Sequence, residues 1–521
     1  MGKQIGRGRR GRTAVHGVMA LAMASVLTTG CELAVNQQGG GSKASCQPGG
    51  TLVAAAAQPP IPARVLAQGA ANYFWVRAVF EPLLTVDGND VTNVKPLLAS
   101  SYKIAPDDRS VTLQLRDNVT FHSGRPFTSA DVLFTIKQAL TPTSPSDVKS
   151  ILAGWQVEAT GEHEVTIRSQ TPLSPVLGST LELTPIVDSQ TYAGVANGSS
   201  LIGTGPYKVA SYQPGAQMVL ARNENYWQKG QPTLDRIENV AIPDSTAQLS
   251  ALRSGRAQLS FGLTTQDALT IAQRNGQFEV LKTGQTVYPL VLETRSGVFT
   301  NKTVRQAIGY AIDRKRINTQ VLGNLGTTTG LYWAEGTEDY PKGLENRYRY
   351  DPGKARQMIK DAGATGAAVP ITIINNPVLH AEYEIIANSL TAVGLKPALI
   401  ALAAPDYQQR LASGTGGNYL SFRGQNGTAP FMVQTNADLR LQGAHRQFTT
   451  PQYTNLVNQV IQAGGGAQEA GAVKNLTEYM LDEAFMQVLV TAPGVAVRST
   501  SLQNVPIALG GLRPNESCLS R

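Results

Sequence analysis

The side chains able to do acid–base or nucleophilic chemistry are few in this sequence and poorly grouped. The five histidines stand at 16, 122, 163, 380 and 445, and none has the cysteine, histidine or carboxylate spacing that a zinc or nickel cage needs. No metal site and no cofactor is expected. His122 and Asp131, both within "FHSGRPFTSAD", could be imagined as an acid–base pair. The local pattern gives Asp131 a different role, because Thr128 and Asp131 have capping-box spacing at a helix start, where a carboxylate also meets the positive end of the helix dipole. Gly203-Thr204-Gly205-Pro206-Tyr207 lacks the Lys-Ser/Thr by which a phosphate loop reaches phosphate and metal. It reads as a tight turn, with glycine allowing unusual dihedrals and proline fixing φ. The sequence holds no Gly-x-Ser-x-Gly elbow and no evident cysteine–histidine nucleophile setting. The chain is therefore not expected to be an enzyme.

The three cysteines divide by context. Residues 1–30 carry Lys3, Arg7, Arg9, Arg10 and Arg12 and no acid, followed by an apolar stretch from Val18 to Leu27, the layout of an export leader. That stretch of roughly ten residues is shorter than the ~20 needed to span a bilayer. The five basic residues account for most of the net charge of +8, leaving +3 for the rest. A nucleic-acid partner is accordingly not expected. Thr28-Thr29-Gly30-Cys31 resembles a lipobox, in which Cys31 would be lipidated; the alternative is an ordinary secretory leader with an incidental cysteine. Residues 31–45, with Gly39, Gly40 and Gly41, read as a flexible tether. Cys46 and Cys518 then remain, near the two ends of the folded body, in a compartment where disulfides persist. They are expected to pair, the alternative being two separate thiols.

Several elements that would position any site are legible. A chain of 521 residues exceeds one core and fits two or three domains. "ITIINN" at 371–376 is β-branched, "LHAEYEIIANSLTAV" places Ile385, Ile386, Leu390 and Val393 at helical spacing before Gly394, and "KPALIAL" reads as a strand, together a β-α-β unit. In "YDPGKARQMIKDAG" Asp351 is the N-cap, Pro352 the first helical residue and Gly363 the stop. "NKTVRQAIGYAIDRKRI" puts Val304, Ile308, Ala311 and Ile312 on one core-facing side.

An ordered series of motifs carries a family resemblance. "FEPLLTVDG" (80–88), "PLLASSY" (96–102), "LRDNVTFHSGRPFTSADVLFTI" (115–136), "IGTGPYKV" (202–209), "RNENYW" (222–227), "LDRI" (234–237), "VRQAIGYAIDRKRI" and "YDPGKA" resemble the extracytoplasmic solute-binding proteins of the peptide, opine and nickel class of ABC importers. The resemblance runs from Gly49 to about Gly511. It implies an α/β fold of the periplasmic-binding-protein type: a two-lobe clamshell, type II and cluster C-like, with an inserted subdomain. Lobe I would comprise 46–64, 185–285 and 495–521, the inserted subdomain 65–184 and lobe II 286–494.

The resemblance also implies the partners: a small solute such as a peptide or opine, ABC permease subunits, and the outer face of the cytoplasmic membrane through a lipid on Cys31, the protein acting as a monomer. In peptide-binding relatives a Gly-Trp-x-x-Asp-like segment supplies an aspartate for the ligand's α-amino group. The matching stretch "YLSFRGQNGTAP" (419–430) has Gln425 at the tryptophan's place and Thr428 near the aspartate's. The missing charge favours a neutral or anionic solute. Arg423 in the same stretch offers a fork of donors suited to a carboxylate or phosphate, a surface ion pair being the alternative. Tyr73 and Trp75, and Tyr332 and Trp333, supply aromatic platforms suited to a cleft, with core packing as the competing reading. Glu293 follows an apolar strand where the family usually has asparagine, and completes the expected ligand contacts. Two other readings stay open: a hydrolase on the same scaffold, and a surface sensor or adhesin without a permease.

Overall fold

The computed structural model describes residues 46–520 apart from 68, 69, 89, 274, 275, 426, 442–447 and 510. The leader, Cys31 and the tether lie outside the described residues.

An eleven-stranded mixed sheet organises the fold. At one end, Ala368–Ile374 runs parallel to both Lys396–Leu402 and Asn418–Leu420. The helix Pro377–Ala392 connects the first two, so the expected β-α-β unit is present. At the other end, Thr51–Ala56 lies between parallel Arg236–Ala241 and Leu259–Phe261. Strands so placed are covered on both faces, which is why "TLVAAA" and "ITII" are almost continuously apolar.

Two antiparallel strands of 14 residues, Phe278–Val291 and Met486–Ser499, join these ends. The end of the second strand pairs with Leu259–Phe261, while the end of the first pairs with Asn418–Leu420. Their ladder breaks register between Thr283 and Gln285, opposite Pro493 and Gly494. Gly284 sits at that break with φ +51, a backbone state that glycine adopts without steric cost. A Cβ on Gly494 would stand 2.7 Å from the carbonyl oxygen of Thr283.

Residues 99–169 form a separate antiparallel sheet in the order Ala99–Ile104, Ser110–Leu115, Glu164–Ser169, Trp155–Gly161. The helix Ser129–Leu140 contacts the last two strands. As the spacing predicts, the Asp131 carboxylate accepts the Thr128 backbone N–H at 3.2 Å. The helix Pro352–Asp361 likewise begins with Asp351 accepting the Lys354 N–H and ends before Gly363 at φ +66. Val304, Ile308, Ala311 and Ile312 are fully buried. At the chain ends, Cys46–Gln47 pairs with Cys518–Ser520, and a disulfide joins Cys46 to Cys518 with 5.5 Å between their Cα atoms.

A candidate solute cleft

The motif residues converge on a buried carboxylate. Glu81, 1% exposed, accepts hydrogen bonds from Thr204 Oγ1 at 2.9 Å, Tyr226 OH at 2.7 Å and Trp227 Nε1 at 3.1 Å. Burial raises its pKa although these donors oppose the shift. Three separated motifs thus supply one satisfied polar centre, as a buried carboxylate requires. The glycines of 203–207 act differently from the dihedral role expected of them. A Cβ on Gly203 would lie 1.9 Å from the Val79 carbonyl oxygen, and one on Gly205 would lie 2.5 Å from that of Ala78. Close backbone approach, not a positive φ, excludes side chains there.

His122 and Asp131 form no acid–base pair. His122 Nε2 donates to Gly205 O at 2.9 Å while its Nδ1 accepts from Gly203 N at 3.3 Å. Burial pushes the ring down to about 4, so it is neutral at pH 7 and pins the 203–205 turn. Asp131 instead pairs with Arg125, which also bridges to Asp188.

A cavity of about 510 Å3, within the size range of small-molecule sites, is lined by Asp90 to Thr92, Lys282, Gly284, Gln285 and Pro493. The 334–338 loop, Gln425 and Gly427 line it as well. A neighbouring cavity of about 270 Å3 shares Val91, Thr92, Thr337 and Glu338 and adds Asp339, Thr428 and Glu469. Segments far apart in sequence meet at its edge, where Thr428 Oγ1 donates to Pro175 O at 2.7 Å; elsewhere Ser150 Oγ donates to Gln434 O at 2.6 Å.

Of the eight expected contact residues, two line these cavities. Gln425 borders the larger and Thr428 the smaller. The other six are placed elsewhere, for identifiable reasons. Tyr73 is fully buried and donates to Glu182, which also pairs with Arg77. Trp75 Nε1 donates to Asn72 Oδ1, and Trp333 Nε1 donates to Thr477 Oγ1 at 2.6 Å. Tyr332 is 1% exposed and its carbonyl accepts from Gln425 Nε2. Enclosed in this way, these aromatics serve as core. Glu293 pairs with Arg295, two residues along, and accepts its N–H. Burial raises the Glu293 pKa, but its bonds with Arg295 outweigh that and hold it below the ordinary carboxylate range.

Arg423 has an internal partner. Its Nε and Nη2 each donate at 2.9 Å to the two oxygens of Asp438, a carboxylate with no exposed side-chain surface. Tyr419 and Ser421 donate to the same group. Burial works to raise Asp438, yet Arg423 and these donors hold it below its usual range. The guanidinium is thereby committed inside the protein, and the anionic-solute expectation loses its main support.

The cleft's acids were not anticipated. Glu335, Glu338 and Asp339 come from "WAEGTED" (333–339), an acid cluster in a Gly/Thr-containing loop that was a visible signal. Asp90 and Glu469 join them from distant segments.

Comparison with known proteins agrees with this architecture. A family model described as bacterial extracellular solute-binding proteins, family 5 middle, matches residues 93–445. A Brucella ovis protein named as a putative ABC transporter peptide-binding protein is 29% identical over 383 residues, covering 70% of this chain and 71% of that protein. Among solved structures, Helicobacter pylori DppA in complex with the peptide STSA superposes with a TM-score of 0.79 at 20% identity, over 91% of this chain and 99% of that one. AgaA from A. tumefacien R10, bound to agropinic acid, gives a TM-score of 0.77 at 21% identity, over 88% and 96%. These likenesses establish a periplasmic-binding-protein fold.

Proposed function

The chain belongs to the bacterial extracellular solute-binding proteins of family 5, and from that premise we propose that it captures a small polar solute, peptide-like in character, and delivers it unchanged to an ABC permease. The observation that carries this reading is the 510 Å3 cavity, lined both by Asp90 to Thr92 and by the 334–338 loop, segments far apart in the chain. A solute touching both segments stabilises the closed arrangement and shifts the population towards it. No covalent step is needed.

In this reading lobe I is 46–64, 185–285 and 495–521, the inserted subdomain 65–184 and lobe II 286–494. The ladder break at Gly284 opposite Pro493 and Gly494 supports placing the lobe crossings there. Gln425 and Thr428 contact the solute, the protein works as a monomer, and a lipid on Cys31 holds it to the outer face of the cytoplasmic membrane.

The test is incubation of the purified protein with a tri- to pentapeptide library, followed by native mass spectrometry of the complex and analysis of the supernatant. Retention of intact peptides supports capture. Sustained cleavage of the library refutes it in favour of a hydrolase. Separately, Cys31→Ser should move the protein from the membrane fraction to the soluble fraction.

A further inference from the structure

We propose that this cleft selects a cationic solute, one presenting an ammonium or guanidinium group to a wall of acceptors. The inference rests on the solute-capture reading above and adds the charge class of the cargo.

Five carboxylates line the two adjoining cavities, Asp90, Glu335, Glu338, Asp339 and Glu469, against Lys282 as the lone cation among the lining residues. None of the five forms an ion pair with a described residue. Glu338 borders both cavities, and Asp339 and Glu469 are only 7% and 6% exposed. Asp90, Glu335 and Glu338 are exposed, but Asp339 and Glu469, near one another and away from water, repel unless a cation arrives. Burial, with Asp339 and Glu338 nearby, pushes Glu469 up to about 7, although the helix beginning at Gly466 offers it a partial positive end.

A second feature points the same way without involving charge. Gln425 is 5% exposed and borders the larger cavity. Its Nε2 donates to Tyr332 O at 2.6 Å, which fixes the amide, and its Oε1 has no hydrogen-bond partner. A buried amide oxygen held without a donor is costly to leave so. A ligand rich in N–H groups satisfies it together with the carboxylates. The cation is organic: among the described residues no three His, Cys, Asp or Glu side chains are grouped to hold a metal ion, and the cavity is far larger than an ion needs.

The experiment uses the full-length protein and an equimolar tri- to pentapeptide library, with retained peptides read by native mass spectrometry. Lysine- and arginine-containing peptides should be enriched roughly tenfold over matched norleucine and citrulline versions. The Glu338→Gln, Glu469→Gln double variant should lose most of that enrichment. The single variant Glu338→Gln lies on the exposed loop and guards against misfolding; it should reduce the enrichment several-fold. Retention without charge bias, preference for acidic peptides, or an enrichment unaltered in both variants overturns the cationic assignment but leaves capture standing. Retention of no peptide of any charge removes peptide capture and this inference together.

Discussion

Glu382 offers a sharp test of the physical reasoning. It lies on the helix Pro377–Ala392, is fully buried, and neither carboxyl oxygen has a hydrogen-bond partner among the described residues. Burial alone pushes its pKa up to about 8, from an ordinary value of 4.5. The folded protein therefore binds this proton more tightly than the unfolded chain does. Its contribution is most favourable below pH 4.5, declines as pH rises towards 8, and levels off above that. At about 1.4 kcal/mol per unit, ionisation costs the fold about 3 kcal/mol at pH 7 and about 5 kcal/mol above pH 9. Glutamine resembles the protonated acid in shape and polarity but cannot ionise. Urea unfolding of Glu382→Gln and the parent protein should thus agree within about 1 kcal/mol at pH 5, with the variant progressively more stable from pH 6 to pH 9. A stability difference that stays constant across that range would refute the assignment of a proton to this buried carboxyl.

Three further outcomes follow from named contacts. Asp438→Asn leaves Arg423 without its carboxylate and should lower stability by about 3 kcal/mol at pH 7. Because the folded pKa of Asp438 is depressed, that deficit should shrink as acid protonates the parent's carboxylate, which urea melts at pH 7 and pH 3 would resolve. Gly203→Ala drives a methyl group into the Val79 carbonyl and should cost about 3 kcal/mol or more, visible as a lowered melting temperature or failed expression, whereas Gly471→Ala, within the helix Gly466–Glu483 and with open space around it, should cost far less. Ser150→Ala removes the donor to Gln434 O, an exposed contact, and should cost about 1 kcal/mol or less, read by urea unfolding.

Local features were legible because local rules determine them. Asp351, Pro352 and Gly363 mark a helix through caps that need only a few consecutive residues, and the alternation of 371–376, 379–393 and 396–402 reports a β-α-β unit by period. The role of Glu81 was not legible, since its partners Thr204, Tyr226 and Trp227 lie more than 120 residues away and only folding brings them together. The surroundings of the aromatic residues were not legible for a related reason. A tyrosine or tryptophan suits a ligand platform or a core equally well, and the fold encloses these and offers their polar tips internal partners, as Tyr73 finds in Glu182 and Trp333 in Thr477. The partner of Arg423 was not legible either, because its carboxylate, fifteen residues onward, is opposed to it by the fold and not by sequence spacing.

The distribution of buried charge separates what holds the fold from what the cleft offers a guest. Away from the cleft, several buried ions are matched by opposite charge: Arg77 with Glu182, Arg125 with Asp131 and Asp188, Arg305 with Glu483, Arg423 with Asp438, while Glu81 and Arg314 have neutral hydrogen-bond partners. Glu382, an exception, is resolved by taking up a proton. Asp339 and Glu469 are nearly as buried, yet no described cation pairs with them, and Glu338 is common to their cavity and to the adjoining one that Gln425 borders. Protonation can relieve Glu469, whose pKa is near 7, but it cannot supply Gln425 with a donor. A guest bearing several N–H groups and a positive charge answers both deficits at once, and that coincidence is the physical reason for expecting closure and cation recognition to be one event.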